Sequence, residues 1–259
     1  YTGTWGTCNW TYDNGILTIS GGVAEGSKSW DSYKNNIEKI VITGKITFDK
    51  ETSLYGLFSK MTSLKTIEGL SNLDTSNVTG TNSMFRDCSS LETLDVSGFD
   101  TSRVTDMDGM FYGCNSLTTL DVSHFDTSKV TRMGSMFHGC SSLETLDVSG
   151  FNTSNVESMD GMFYECRKLQ NIDVSKFDTG KVKSMDFMFS GCKSITYLDV
   201  SNFDTSKVTD MRAMFQGIQC EELDLKNFDT SKVTDMEWMF GRRKIDSWVE
   251  QEWRFVKSD

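Results

Sequence analysis

Carboxylates are the side chains here that most invite chemistry, because they recur in register. Asp95, Asp121, Asp147, Asp173, Asp199 and Asp224 each follow a leucine or isoleucine and precede a valine or leucine. If those segments are strands with the apolar neighbours turned inward, the carboxylates share one outer face, about 4.7–4.9 Å apart. Such a row could gather a hard cation such as calcium, which prefers clustered oxygen ligands, or supply a carboxylate pair for glycoside hydrolysis. Both readings meet physical objections. Like charges at that spacing repel by about 0.8 kcal/mol per pair in water, and the Gly-Asp-rich loop of calcium motifs is missing. Repetition gives every carboxylate nearly the same surroundings, whereas acid–base work needs pKa values pushed apart. The row reads better as a solvated acidic strip bonded to the Thr and Ser beside it. No metal, no cofactor and no enzymatic activity are expected.

Other reactive types fall into columns too. Asp100, Asp126, Asn152, Asp178, Asp204 and Asp229 each open a D/N-T-S/G-x-V turn. Asp and Asn alike accept backbone N–H groups of a following turn, so capping is the expected role. Five of the seven cysteines, Cys88, Cys114, Cys140, Cys166 and Cys192, recur at one repeat position. Thiols stacked the same way have poor disulfide geometry, and no C-x-x-C pair exists for zinc. They read as buried, free, core-filling thiols. The two histidines, His124 and His138, occupy different repeat positions, so no catalytic pair forms from them.

The elements that carry these columns are repeats. LETLDVSGFDTSRVTDMDGMFYGC begins at Leu91 and returns from Leu117, Leu143, Leu169 and Ile195, a spacing of 26. A strict period of this length with an L-x-x-L-x-L core is the signature of a leucine-rich-repeat solenoid. Inward columns are Leu94 to Leu223, Val96 to Leu225, Phe99 to Phe228, Val104 to Val233, Met107 to Met236, Met110 to Met239 and Phe111 to Phe240. One such unit cannot bury enough surface to fold alone, so the copies must stack. Residues 1–50 differ: Asp13-Asn14-Gly15 between two alternating runs signals a hairpin, and Trp5, Trp10 and Trp30 could plug the end of the core. Ile40 precedes Ile67 by 27, which makes Ile37–Ile42 a first degenerate rung. The expected division is a capping region over 1–50, the repeat stack over 51–241 and an amphipathic cap helix over 242–259.

Composition narrows the function classes. The 259 residues carry a net charge of −11, which argues against nucleic acid. No polybasic stretch addresses anionic lipid, and no run of 18 apolar residues spans a bilayer. Neither a leader nor a sorting signal is evident. The sequence reads as an excised ectodomain fragment, monomeric and without membrane insertion.

The unit L-x-x-L-D-V-S-x-F-D-T-S-K-V-T-x-M-x-x-M-F-x-G-C resembles the BspA-type leucine-rich repeats of bacterial surface proteins, over about Leu54–Phe240. Such repeats are common in Gram-positive bacteria. The resemblance implies an α/β-type solenoid: a right-handed leucine-rich-repeat stack with a parallel sheet on one face, an N-terminal β-rich cap and a C-terminal helical cap. It also implies an extracellular, cell-surface location and a role in adhesion or recognition, with a host extracellular matrix, mucin or epithelial surface protein as partner. A passive spacer projecting another domain from the cell wall is the alternative. No catalytic motif comes with the resemblance.

Specific recognition would need the positions that break the repeat. On the outward face the Thr column changes to Asn171, Tyr197 and Glu222, the Ser column ends in Lys226, and the neighbouring column carries His124 and Lys176. Aromatic and charged side chains among small polar ones are what a protein-binding patch requires. With the acidic strip beside them, the candidate binding residues are Asp121, His124, Asp147, Asn171, Asp173, Lys176, Tyr197, Asp199, Glu222 and Lys226.

Overall fold

A computed structural model describes residues 1–241. The helix expected over 242–259 lies outside the described residues. Chain order begins with β1 (Thr2–Trp5), β2 (Cys8–Asp13) and β3 (Ile16–Ile19), which pair antiparallel in sequence. Asn14 and Gly15 turn β2 into β3 with φ of 45° and 81°, the paired left-handed geometry of a tight hairpin. A short β4 (Gly22–Val23) and a 3-10 turn (Asp31–Asn36) lead to β5 (Lys39–Ile42). Next come β6 (Ile46–Thr47), β7 (Thr52–Ser53), β8 (Thr66–Glu68) and β9 (Val78–Gly80). In the main sheet, order β1-β2-β3-β5-β8, the pairing switches to parallel at β3, and Ile40 faces Ile67 in register. The hairpin therefore runs directly into the first repeats.

From there the repeats stack by a continuous row of parallel bridges: Gly80, Asp106, Arg132, Ser158, Ser184, Asp210 and Asp235 each pair with the next. This row is not where the sequence put the sheet. Beyond Glu68, the described L-x-x-L-x-L segments carry a single parallel bridge, Thr145 to Asn171. The reason is local. Asp95 turns its carboxylate to the amide of Ser97 at 2.9 Å, and Asp121, Asp147, Asp173 and Asp199 do the same to the serine two residues on. These Asx turns bend the chain out of strand geometry and compete with a ladder.

Cohesion lies instead in the M-x-x-M-F-x-G arm. Met107, Gly109, Phe111 and Gly113 donate their amides to the carbonyls of Arg132, Gly134, Met136 and His138 one rung ahead, at 2.7–3.0 Å. Carbonyls of Asp106, Asp108, Met110 and Tyr112 accept from Thr81, Ser83, Phe85 and Asp87 one rung behind. Between these, Met110 and Tyr112 close turns on Met107 and Gly109. The α component expected of the stack is therefore absent: among the described residues the only helical segments are 3-10 turns, Asp31–Asn36 and Leu70–Asn72. An amide spent on the next rung cannot close an α-helical ring. Left-handed residues at Gly109 (φ 57°) and Gly113 (φ 72°) interrupt the turns as well.

The core follows the inward columns. Phe85, Phe111, Phe137, Phe163 and Phe189 are fully buried and stack ring on ring, centroids 5.6–5.8 Å apart. Trp5, Trp10 and Trp30 are buried at the hairpin end in edge-to-face contact. A buried threonine row, Thr75 to Thr205, ties the other arm. The Thr127 hydroxyl donates to the Asn152 carbonyl (3.0 Å) and accepts the Asn152 amide (2.8 Å), so one side chain satisfies both backbone groups of the next rung. Thr81 stands where later repeats have methionine, and its buried hydroxyl has no partner.

Two near-isosteric substitutions should therefore move stability in opposite directions. Thr127→Val orphans two buried backbone groups and is expected to cost about 1–3 kcal/mol, whereas Thr81→Val removes an unsatisfied hydroxyl and should stabilise by about 1 kcal/mol. Urea denaturation of the two variants checks both signs.

Candidate functional site

The expected binding residues divide into locked and exposed ones. Asp121, Asp147, Asp173 and Asp199 each accept both the amide and the hydroxyl of the serine two residues on, the latter at 2.6–2.7 Å. Those hydrogen bonds hold all four carboxyls below the usual aspartate range, hydroxyl first and amide second. Asp95 and Asp224 shift the same way, Asp224 chiefly through the Lys226 ammonium at 2.7 Å. A uniform downward shift leaves no member of this column poised as a general acid. Nor, among the described residues, do three or more His, Cys, Asp or Glu side chains gather closely enough to hold a metal ion.

His124 sets its Nε2 3.0 Å from the Val96 carbonyl one rung behind and its ring edge-on to Phe125, so it serves the scaffold. Asn171 joins the single bridge of this face. Lys176, Tyr197 and Glu222 stand exposed, and Tyr197, 71% accessible, is the most exposed large hydrophobic side chain of the described repeats. Tyr197 thus projects from a polar face whose aspartates Asp173 and Asp199 are held by their own turns.

A second feature carries no single residue type in the sequence. Position x of F-x-G carries Arg86, Tyr112, His138 and Tyr164 in successive rungs. The Arg86 guanidinium lies 4.0 Å over the Tyr112 ring, Tyr112 stacks on His138 at 4.0 Å, and His138 meets Tyr164 at 4.5 Å. Phe187 abuts Tyr164 edge-on, and Arg212 sits 5.2 Å over Phe187. Burial, with Arg86 adding to it, lowers the His138 pKa and favours the neutral ring within the stack. Reading the F-x-G column in register would have found this run. Beside it opens a groove of about 670 Å³, bordered by Lys34, Lys60, Asp87, Tyr112, Asn115 and His138.

Two further groups settle the chemistry of the interior. The cysteines are free and buried, and each repeat thiol donates to a phenylalanine carbonyl, as Cys140 does to Phe111 at 3.3 Å. Burial pushes Cys88, Cys140 and Cys192 up to about 12. Asp108 and Asp186 shift upward through burial, opposed by Arg132 at 3.1 Å from Asp108 and by the Ser184 hydroxyl on Asp186. No described helix is long and apolar enough to cross a membrane.

A family model described as "Mycoplasma protein of unknown function, DUF285" matches residues 52–171 and again 139–253. A search of curated proteins returned no match. Among solved structures, a leucine-rich-repeat protein of T. pallidum is 18% identical over 74% of this chain and 88% of its own, with a TM-score of 0.42. A leucine-rich-repeat protein from Eubacterium ventriosum is 13% identical over 83% of this chain and 94% of its own (TM-score 0.30). A leucine-rich cell surface protein from Faecalibacterium prausnitzii is 16% identical over 85% of this chain and 55% of its own (TM-score 0.31).

Two solution tests arise from these groups. Native protein should react with a thiol reagent only as fast as it unfolds, read as labelling rate against denaturant, since buried thiols near 12 carry almost no thiolate at neutral pH. The lowered carboxyls, Asp74 at about 2 among them, bind protons less readily folded than unfolded. Their stabilisation is complete above the unfolded aspartate value of about 3.9 and is lost as pH falls toward 2. Asp108 and Asp186 act in the opposite sense but are outnumbered. Melting temperature should therefore drop steeply in that window.

Proposed function

The chain belongs to the DUF285 family, and from that premise we propose that it is a recognition module of a bacterial cell surface. It binds a host or cell-surface protein or glycoprotein by adhesion and performs no chemistry of its own. In this reading residues 1–50 cap a right-handed leucine-rich-repeat solenoid over 51–241. The module acts outside the cell, as a monomer, on an extracellular matrix, mucin or epithelial partner.

One observation carries the reading: Tyr197 projects, 71% exposed, from a surface whose neighbouring aspartates are already locked by their own turns. A pre-ordered surface loses little conformational entropy on association, and tyrosine is among the residues enriched as interface anchors. Uniform carboxyl shifts support a binding role over catalysis. The passive-spacer alternative draws on the evenness of the bridge row, which suits a rod with no privileged position.

Surface plasmon resonance against fibronectin, mucin and epithelial-cell glycoproteins tests the proposal. Wild-type chain is expected to bind at least one, and Tyr197→Ala with Lys176→Ala should weaken that binding by about 2 kcal/mol or more, as for an interface anchor, at unchanged melting temperature. Binding that is absent throughout favours the spacer. Binding unaffected by the double substitution moves the site elsewhere.

A further inference from the structure

The groove beside the Tyr112–His138 stack lies apart from the Tyr197 surface and has a chemistry of its own. Its volume is about 670 Å³. Lys34, on the 3-10 turn Asp31–Asn36, and Lys60, on the first repeat, both line it. Among the described residues neither ammonium is ion-paired, while Lys28, Lys39 and Lys65 nearby all have carboxylate partners. Asp87, the carboxylate of the lining, is ion-paired with Arg86 at 3.5 Å, so in a chain of net charge −11 the two lysines make the groove a local positive site.

The backbone points to the same place. One column of the turn arm needs a left-handed residue, and glycine fills it at Gly113, Gly139, Gly191, Gly217 and Gly241. The same column holds Lys60 (φ 62°) and Asp87 (φ 59°) at the groove, and Glu165 (φ 58°) outside it, where the carboxylate pairs with Arg167. A lysine in that region is strained where glycine would not be. The Lys60 side chain sits there at a conformational cost, and in the folded chain it makes no ion pair that would account for it.

The rest of the wall selects among anions. Tyr112 and His138, their faces stacked on each other, line the groove together with Thr62, Ser89 and Asn115, whose side-chain amide donates its N–H groups to the Gly113 and Gly139 carbonyls at 2.8 Å. These come from successive rungs, so donors and acceptors recur at about 4.8 Å, the scale of a pyranose ring. An inorganic anion would use the ammonium groups and leave this polar, ring-edged wall without a role. A saccharide uses both. We propose that the groove binds an acidic saccharide, its carboxylate held between Lys34 and Lys60 and its hydroxyls along Thr62, Ser89, Asn115 and the edge of Tyr112.

Calorimetric titration of the full chain with sialyllactose and with a hyaluronan tetrasaccharide tests this and separates the two natural sources of such a carboxylate. Lactose and inorganic phosphate are the controls. Saturable binding of at least one acidic sugar is expected, with lactose weaker by on the order of tenfold and phosphate unable to compete at equal concentration. The double variant Lys34→Gln, Lys60→Gln should lose on the order of tenfold in affinity, and Tyr197→Ala should lose none. Lys60→Gly should weaken binding while raising the melting temperature, because glycine relieves the left-handed strain. No binding of either acidic sugar, equal binding of lactose, full competition by phosphate, or unchanged affinity in the double variant would overturn the proposal.

Discussion

Peptide groups along one arm of every repeat point the same way, and most of the structure is a consequence. Because a peptide is planar, its N–H and C=O face opposite directions. In the M-x-x-M-F-x-G arm alternate peptides send the N–H forward to the next rung and the C=O back to the previous one. Satisfying both ends of each buried peptide in this manner requires a neighbour of the same shape on either side. A 26-residue period kept nearly free of insertions is what supplies it.

That constraint decides where special residues must go. Turning the peptides into line needs left-handed residues at fixed places, which explains Gly109, Gly113 and their equivalents. It also brings the phenylalanines into one stacked column and lodges the small thiols behind them, each donating to a carbonyl of the rung before. At the start of the row the Leu57 carbonyl points back past the first repeat. Lys28 donates to it and to the Gly56 carbonyl, with Asp31 3.6 Å away. Burial lowers the Lys28 pKa while Asp31 opposes the change. The hairpin region thus closes the row with a charge as well as with tryptophans.

The inward columns, the hairpin at Asn14-Gly15 and the free thiols were legible because each follows from periodicity, turn chemistry or stacking geometry alone. Ile40 opposite Ile67 was legible from a spacing of 27. The site of the parallel pairing was not. L-x-x-L-D-V looks like a strand, but its aspartate finds an amide and a hydroxyl two residues along, and that local bond wins over the ladder. The threonine row was hidden in the same way, because a Thr after a capping Asp reads as part of a turn, and only stacking reveals that it reaches the next rung. The Arg86–Tyr112–His138–Tyr164 run went unread since its members share no residue type, only a position. Among the binding candidates, Tyr197 and Lys176 do stand exposed, whereas His124 is committed to the Val96 carbonyl.

Cohesion through the turn arm is the central claim, and native-state hydrogen exchange measures it residue by residue. Amides of Met133, Ser135, Phe137 and Gly139, bonded to the rung ahead at 2.7–3.2 Å, should be among the slowest to exchange and should open only with global unfolding. Amides of Asp121 and Asp147, on the turned L-x-x-L-x-L face, should exchange faster through local fluctuation. Equal protection on the two arms, or slower exchange at Asp121 and Asp147, would contradict the account and return the sheet to the face where the leucine pattern first suggested it.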